Sequence, residues 1–407
     1  SRRAPPARRS RRAARPGAGR HPLAAGAAGG LRVPHSLRRG DPRHLRDPRA
    51  EAEARRARPC RALLRARGAD RGRLMDAAAP LVTLDRLSVH YPLGRSLFGT
   101  APVLKAIDEV SLEIPKGSFF GLVGESGSGK TTLGRAILRA APISGGRALY
   151  ADGEVSYDLA RLGKEDLRAY RSRAQLIFQD PYAALSPRMT VRDIIAEPLE
   201  VMGLTTSREE TDARVRDIAA KCRLNLEHLR RFPHAFSGGQ RQRISIARAL
   251  VCGPKFVVAD ESVAALDVSI QAADILNLLK SLQRDLQLTF LFISHDLSVV
   301  AHVCDYVAVM YLGRLVEIAP TRELFARPKH PYTRALLSAI PSLDPDDTGR
   351  AERLAGDIPS PANPPPGCRF HTRCPVAEAR CKIEAPVLDP ATGGATVACH
   401  FWEKHLA

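Results

Sequence analysis

The segment at 118–140 constrains the fold more than any other part of the chain. An apolar run, SFFGLVG at 118–124, leads into GESGSGKT at 124–131, and TTLGRAILRA follows at 131–140. The first run suits a parallel strand that is buried on both faces, and the last has the periodicity of a helix with one apolar face. The order therefore predicts a strand, a tight loop and a helix within an α/β core.

The loop in this segment matches the phosphate-binding pattern G-x-x-x-x-G-K-[ST]. Its glycines would let backbone N–H groups curl around phosphate oxygens, and the start of the helix would add partial positive charge. Lys130 would pair with the β- and γ-phosphates of a nucleotide, and the Thr131 hydroxyl would ligate Mg²⁺. The predicted nucleotide-binding residues of the loop are Gly124, Glu125, Ser126, Gly127, Ser128, Gly129, Lys130, Thr131 and Thr132.

A second segment, KFVVADE at 255–261, supplies acidic groups for the same chemistry. Its four apolar residues run into Asp260, as a central strand would deliver a carboxylate to the sheet edge where α/β proteins bind ligands. Asp260 would hold Mg²⁺, and Glu261 would orient or deprotonate the attacking water. Such a run alone is more often a strand that meets a solvated loop, but together with the phosphate loop it indicates a site that hydrolyses a nucleoside triphosphate.

The pattern elsewhere extends the α/β interpretation. LVTLDRLSVHY at 81–91 alternates as a strand, and residues 190–235 look mainly helical. A second α/β run then begins with a helix at 237–251, and a short strand-rich piece at 306–319 leads into a Pro-rich tail. We therefore expect an α/β core that is interrupted by a helical insertion.

The net charge of +19 is concentrated at one end of the chain. Residues 1–74 contain 22 Arg, no Lys and 5 acidic residues, which leaves a net charge of only +2 for residues 75–407. A segment so poor in apolar residues cannot offset its ordering entropy, so we expect residues 1–74 to be disordered. The segment could be an arm for nucleic acid or anionic membranes, or a transit peptide. We favour a third interpretation, translated DNA upstream of a true start at Met75.

The apolar runs are short. None approaches the 18 or more consecutive apolar residues of a membrane-spanning helix, and the sequence does not open with the pattern of a secretory signal. The longest runs, such as LTFLFIS at 288–294, have the length of buried strands. A function at a membrane would therefore require partners that span it.

Three further motifs accompany the phosphate loop at 124–131 and the acidic segment at 255–261, and the five follow one another in a characteristic order along the chain. The three further motifs are Gln179 in LIFQDP, FSGGQRQR at 236–243 and His295 in FLFISHD. The ordered set resembles the ATP-binding cassette ATPases, the motor subunits of ABC transporters. The resemblance implies an α/β P-loop NTPase core of the RecA-like type with a helical subdomain, and it implies bound ATP and Mg²⁺.

The resemblance also assigns roles to residues that are usually structural. It implies that the Ser237 motif completes the ATP site of a partner subunit, so that two ATP molecules lie in a head-to-tail dimer. Ser262 and Ala264 depart from the family pattern, which usually has Pro and Ser there, but neither change removes a phosphate or metal ligand. The residues that match are Tyr91 for adenine stacking, Gln179 for Mg²⁺, water and permease contact, Ser237, Gly238, Gly239 and Gln240 for the signature motif, Asp267 of the D-loop, and His295 near the γ-phosphate.

The C-terminal part narrows the resemblance. HPYTRALL at 330–337, GDIPSP at 356–361, PPGC at 365–368 and RCP at 373–375 look like the C-terminal extension of oligopeptide/dipeptide importer ATPases. The resemblance implies a peptide importer with a second ATPase subunit in a heterodimer or homodimer, two transmembrane permeases and an extracytoplasmic binding protein. It places the chain at the cytoplasmic face of the inner membrane, as a peripheral subunit, with no nucleic-acid partner.

The sequence is also compatible with two other functions. The same engine could import nickel, opines or other small solutes, because the binding protein and permeases select the solute. A soluble ABC ATPase that acts on nucleic acid or ribosomes would use the Arg-rich segment, but most translation factors of that type carry two cassettes. The predicted organisation is 1–74 as a disordered segment, 75–325 as the nucleotide-binding domain with a helical subdomain at about 181–236, and 326–407 as the C-terminal extension.

Four cysteines cluster near the end of the chain with the spacing C-x5-C-x6-C-x17-C. Without a secretory signal, metal is a better expectation for them than disulfides. Four thiolates can hold a [4Fe–4S] cluster or structural Zn²⁺, and this spacing does not decide between them. The family resemblance suggests the iron–sulfur cluster, and reduced free thiols are the alternative. The residues are Cys368, Cys374, Cys381 and Cys399.

Overall fold

A computed structural model describes residues 79–94, 103–261, 269–340, 354 and 356–405. The Arg-rich segment 1–74 lies outside these ranges, and so do Ser262, Ala264 and Asp267. Within the described ranges, helices and strands alternate along the chain, and the strands form two sheets. This confirms the predicted α/β class.

The strands divide between a large and a small sheet. The bounds are β1 (Pro80–Pro92), β2 (Val103–Pro115), β3 (Phe119–Val123), β4 (Gly145–Ala151), β5 (Ser156–Asp158), β6 (Ala174–Ile177), β7 (Phe256–Asp260), β8 (Thr289–Ile293), β9 (Tyr306–Tyr311), β10 (Arg314–Pro320), β11 (Asp389–Pro390) and β12 (Thr396–Val397). The large sheet has the order β11-β12-β10-β9-β3-β8-β7-β6, and the small sheet has the order β2-β1-β4-β5. Strands β9, β3, β8, β7 and β6 are parallel neighbours.

The parallel strands in the middle of the large sheet are apolar because both of their faces are covered. Every residue of β3, β7 and β8 is buried. Phe119 of β3 stacks on Phe290 of β8 with ring centroids 4.8 Å apart. Aromatic stacking of this kind adds to the apolar area buried between neighbouring strands. The continuous apolar runs of the sequence thus correspond to doubly covered strands, as predicted.

Helices pack around this sheet, and they form most of the segment between β6 and β7. The bounds are α1 (Lys130–Ile137), α2 (Lys164–Arg173), α3 (Pro181–Ala184), α4 (Val191–Met202), α5 (Arg208–Lys221), α6 (Gly238–Leu250), α7 (Ser269–Leu286), α8 (Leu297–Val303), α9 (Thr321–Ala326), α10 (Pro331–Ser338) and α11 (Ala379–Ile383). Thr190 and Ser207 cap α4 and α5 through side-chain oxygens that accept backbone N–H groups. None of the helices in these described ranges has both the length and the hydropathy needed to cross a membrane.

The C-terminal part of the chain is joined to the large sheet. Strand β12 pairs with β10 in antiparallel register, with Glu317 opposite Val397. The fully buried carboxylate of Glu317 accepts the backbone N–H groups of Lys329 and His330, both at 2.9 Å, just before α10. A buried carboxylate requires such donors, so this contact fixes the start of α10 against the sheet.

Candidate active site

The phosphate loop joins the carboxyl end of β3 to the start of α1. Gly124 and Gly129 adopt φ values of 147° and 105°, which side chains rarely tolerate. A Cβ atom at Gly124 would lie 2.2 Å from the carbonyl oxygen of Met310, and one at Gly129 would lie 2.5 Å from that of Ala106. Glycine is therefore required at both positions by the backbone conformation and by the close approach of neighbouring strands.

Lys130 lies inside the curve of this loop. Its side-chain nitrogen donates to the carbonyl oxygens of Gly124 and Glu125 at 2.7 and 2.8 Å, and it lies 3.4 Å from the Ser128 hydroxyl. Burial lowers the pKa of Lys130 from its usual 10.5, although nearby carboxylates oppose the shift. Ser126 and Gly127 are exposed at the tip of the loop. A phosphate group could enter there and replace the carbonyl oxygens around the ammonium group.

Two oxygen ligands predicted for Mg²⁺ lie side by side. Thr131, in the first turn of α1, donates its hydroxyl hydrogen to the Asp260 carboxylate at 3.0 Å. Asp260 ends β7 and is buried, and burial raises the pKa of its carboxyl group. Carboxylate and hydroxyl oxygens are ligands that suit Mg²⁺. The structure therefore brings together residues that are 129 positions apart in the sequence.

Three residues that were predicted to lie around the attacking water and the γ-phosphate form one hydrogen-bonded group. The Gln179 amide donates to the Glu261 carboxylate at 2.5 Å, and His295 Nδ1 lies 3.2 Å from the other oxygen of Glu261. These residues follow β6, β7 and β8, three adjacent parallel strands whose carboxyl ends share an edge. Glu261 has a φ of 44°, in the left-handed region that is unusual for a residue with a side chain. Strain of this kind is concentrated at functional sites.

The signature motif forms the start of α6. Ser237 caps the helix, because its hydroxyl accepts the Gln240 N–H at 3.4 Å and its own N–H donates to the Gln240 side chain at 3.1 Å. This reciprocal capping box fixes the first turn. Gly238 and Gly239 occupy that turn and are half-buried, whereas Ser237 and Gln240 are exposed. The helix N-terminus is therefore accessible to an anion from outside.

The remaining predicted residues lie in different surroundings. Tyr91 is half-buried near the end of β1, where it pairs with Leu104 of β2 in the small sheet. Thr132 is half-buried in the first turn of α1. Asp267 lies outside the described residues.

Sequence reasoning missed two residues that contact the phosphate loop. The Tyr332 hydroxyl accepts the backbone N–H of Glu125, and Arg373 donates to the Glu125 carboxylate. Both residues stand in motifs that marked the C-terminal extension, HPYT and RCP. Those motifs could indicate a family but carried no signal for a contact with the loop.

Comparison with known proteins identifies the family. Residues 107–264 match the ABC transporter family, and residues 316–381 match the oligopeptide/dipeptide transporter C-terminal region. A putative peptide import ATP-binding protein of Brucella ovis is 51% identical over 320 residues, which cover 79% of this chain and 97% of the relative. This chain belongs to the ABC transporter ATP-binding proteins.

Other relatives and solved structures agree with this membership. An oligopeptide transport ATP-binding protein of Bacillus subtilis is 45% identical over 79% of this chain and 97% of the relative. The ATP-binding cassette MJ0796, in a dimeric post-hydrolysis state bound to ADP and Pi, is 27% identical with a TM-score of 0.51, over 59% of this chain and 99% of that chain. These findings confirm the predicted P-loop core, and the chain is an ATPase of the ABC family that binds ATP.

The four C-terminal cysteines of this ABC ATPase line one small pocket. Burial raises the pKa of the Cys368 thiol to about 12 and that of Cys399 to about 11. Within the described residues, no three His, Cys, Asp or Glu side chains are arranged to hold a metal ion. The expected metal centre, iron–sulfur or zinc, thus has no support from the side-chain arrangement. The pocket is lined by His330, Pro331, Cys368, Phe370, His371, Cys374, Val376, Cys381, Pro386, Cys399, His400 and Phe401.

Proposed function

We propose that this ABC ATPase drives the uptake of di- and oligopeptides by a binding-protein-dependent importer. The match of residues 316–381 to the oligopeptide/dipeptide transporter C-terminal region carries this proposal. Relatives that are covered almost completely by this chain bear the names of peptide import and oligopeptide transport proteins. We therefore favour peptides over nickel, opines or other small solutes.

The geometry supports a division of roles within the ATP site. Residues 124–132 would bind the phosphates, with Lys130 on the β- and γ-phosphates and Tyr91 against the adenine. Glu261 would orient or deprotonate the attacking water. Gln179 and His295, the latter near the γ-phosphate, would hold the Glu261 carboxylate in place, since each is hydrogen-bonded to it. Phosphoryl transfer depends mostly on such positioning and on electrostatic stabilisation.

The oxygen ligands of this site support Mg²⁺ as the proposed metal. Thr131 and Asp260 offer oxygen ligands that are already in contact, and the Gln179 amide lies near the same sheet edge. When bound, Mg²⁺ would neutralise charge on the phosphates. Asp260 would serve as a ligand in its ionised form, and a bound cation would oppose the effect of burial on its pKa.

A partner subunit would complete the site. The exposed start of α6 can offer the Ser237 motif to a phosphate that another subunit presents. Asp267 would contribute to the same interface through the D-loop. We infer a head-to-tail dimer with a second ATPase, bound peripherally to two permeases at the cytoplasmic face of the inner membrane and supplied by an extracytoplasmic binding protein.

The domain organisation follows the same proposal. Residues 75–325 would form the nucleotide-binding domain with its helical subdomain at about 181–236, and residues 326–407 would form the extension. Within the extension, we propose a [4Fe–4S] cluster or Zn²⁺ at the four cysteines on the family resemblance alone, because the described side chains are not arranged to hold a metal ion. Iron and zinc analysis of anaerobically purified protein tests it, and protein free of both metals would leave four reduced thiols.

Replacement of Glu261 by Gln tests the proposed hydrolytic role. The amide cannot accept a proton from water, and loss of a general base typically lowers turnover by a factor of about 10² to 10⁴. We expect the E261Q complex to bind ATP, hydrolyse it at less than about 1% of the normal rate, and stop transporting peptide. The measurements are ATP turnover and uptake of a labelled tripeptide by the reconstituted transporter.

The matched control is Glu113→Gln, which changes an exposed carboxylate on β2 in the same way. This control should hydrolyse ATP and transport peptide like the unmodified complex. Normal turnover by the E261Q complex would contradict the proposed role of Glu261. Normal ATP turnover with no peptide uptake in the unmodified complex would contradict the proposed substrate.

A further inference from the structure

One residue of the phosphate loop is held from outside the loop at two points. The backbone N–H of Glu125 donates to the Tyr332 hydroxyl at 2.8 Å. Its carboxylate accepts two hydrogen bonds from the Arg373 guanidinium, at 2.7 and 3.1 Å. Tyr332 and Arg373 are 207 and 248 positions away in the sequence. The C-terminal part of the chain therefore contacts both the backbone and the side chain of a single loop residue.

The two groups that hold Glu125 are themselves fixed by packing. Tyr332 is fully buried, and its ring lies 4.7 Å from that of Tyr311 and 5.4 Å from that of Phe370, measured between centroids. The Arg373 side chain is only 8% exposed. Two parallel hydrogen bonds between a guanidinium and a carboxylate also fix the orientation of both groups. The contact is thus a defined geometry and differs from a mobile surface ion pair.

The same C-terminal segment has a second anchor four residues earlier. Arg369 is buried, donates to the Asp108 carboxylate on β2 and also contacts the Leu312 carbonyl oxygen. Asp108 further accepts a hydrogen bond from Arg314 at 3.0 Å. Arg373 is consequently presented to the loop from a segment that is tied to the sheets.

The charge of Glu125 gives this contact a meaning for nucleotide binding. Lys130 donates to the Glu125 carbonyl oxygen, so the Glu125 backbone belongs to the curve that would surround the phosphates. A free carboxylate beside this curve would repel a triphosphate, and the partial burial of the loop would weaken the screening of that repulsion by solvent. The Arg373 guanidinium neutralises it at hydrogen-bond distance.

We propose that Arg373 is a positioning residue of the ATP site, which together with Tyr332 holds the phosphate loop and neutralises Glu125. This inference rests on the proposed function of residues 124–132 as the phosphate-binding loop. It assigns the C-terminal extension a direct effect on nucleotide affinity, in addition to any contact with transporter partners.

The test is a double-mutant cycle on the affinity of the full-length chain for the fluorescent nucleotide mant-ATP. We expect Arg373→Gln to raise the Kd about tenfold, because it leaves the Glu125 carboxylate uncompensated beside the phosphate-binding loop. Glu125→Gln alone should raise it less than about threefold, because the amide carries no charge. The double variant should bind like Glu125→Gln, since the carboxylate that requires Arg373 is gone.

Three further proteins separate positioning from simple stabilisation. Arg380→Gln removes an exposed arginine of the same extension, which pairs with Glu384, and should bind mant-ATP normally. Arg373→Lys keeps the charge without the paired hydrogen bonds, so its Kd should lie between those of the unmodified chain and Arg373→Gln. If Arg373→Gln does not fold, Arg373→Lys with and without Glu125→Gln serves as the cycle. Melting temperatures without nucleotide report the structural contribution separately.

Equal effects of Arg373→Gln with and without Glu125→Gln would overturn the inference, because the pair would then not carry the effect. Unchanged affinity of a folded Arg373→Gln protein would overturn it as well. Lys130→Ala distinguishes a failure of the proposed function: if it left mant-ATP affinity unchanged, the loop would not be the phosphate site, and the inference would fall with it.

Discussion

Replacement of His330 by Asn should make the stability of this protein less sensitive to acid. His330 is 1% exposed, and burial lowers its pKa from the usual 6.5 to about 3. Its Nδ1 accepts the Tyr332 N–H at 3.1 Å and caps α10, so the ring is neutral in the fold. The unfolded chain therefore binds a proton at mildly acidic pH where the folded chain binds none.

The magnitude follows from linkage between protonation and unfolding. The pKa of His330 is lower in the folded chain than in the unfolded chain. The contribution of the neutral ring to the free energy of unfolding is therefore intact above about pH 6.5 and is lost as the pH falls toward 3. From pH 7 to pH 5 the loss is about 2 kcal/mol for a shift from 6.5 to about 3. Glu317 acts in the opposite direction, since burial raises its pKa and the folded chain binds that proton first. Both proteins contain Glu317, so the difference between them removes most of its effect.

Asparagine can also accept a hydrogen bond at a helix N-terminus, so the variant keeps a cap for α10. The measurement is the free energy of unfolding from urea titrations at pH 7, 6 and 5, at constant ionic strength. Between pH 7 and pH 5 the unmodified chain should lose about 2 kcal/mol more than His330→Asn. His302→Asn, at an exposed position of α8, should follow the unmodified chain. Parallel curves for the unmodified chain and His330→Asn would refute a buried, neutral His330.

Two further substitutions test the loop and the signature helix. Gly124→Ala would place a Cβ atom 2.2 Å from a backbone oxygen, so we expect loss of mant-ATP binding, whereas Gly153→Ala, with a φ of 98° in open space, should bind normally. Ser237→Ala and Ser207→Ala each remove a helix cap and should cost about 1 kcal/mol in urea unfolding. Only Ser237→Ala should also lower ATP turnover of the assembled transporter, and equal turnover of the two would contradict the proposed role of α6.

Much of the site could be predicted because parallel strands share an edge. Gln179, Glu261 and His295 each follow a short apolar run in the sequence. Once those runs are adjacent parallel strands, the residues after them lie at the same carboxyl edge, where the structure joins them by hydrogen bonds. The apolar run and the topology rule placed Asp260 and Glu261 at that edge, whereas the roles of Gln179 and His295 came from the resemblance to the ABC ATPases.

Other features have no comparable signal in the sequence. Strands β11 and β12 contain two residues each, too few for an alternating pattern, and their pairing depends on β10. The sequence pattern also does not show which strands pair with one another, so it could not separate the small sheet, β2-β1-β4-β5, from the large one. The contact between Arg373 and Glu125 spans 248 positions and follows no period, since it arises from the packing of Arg369, Tyr332 and Phe370 in three dimensions.

The state of Lys130 explains why anchors from outside the loop are useful. The Lys130 ammonium group donates to the carbonyl oxygens of Gly124 and Glu125 and so closes the loop from within. A phosphate that accepts more than one hydrogen bond from Lys130 must replace at least one of those bonds, because the ammonium group has only three donors. The loop would then lose internal hydrogen bonds on phosphate binding, when its conformation has to match the phosphate oxygens. The contacts of Tyr332 and Arg373 with Glu125 do not involve Lys130, so they can persist through this exchange.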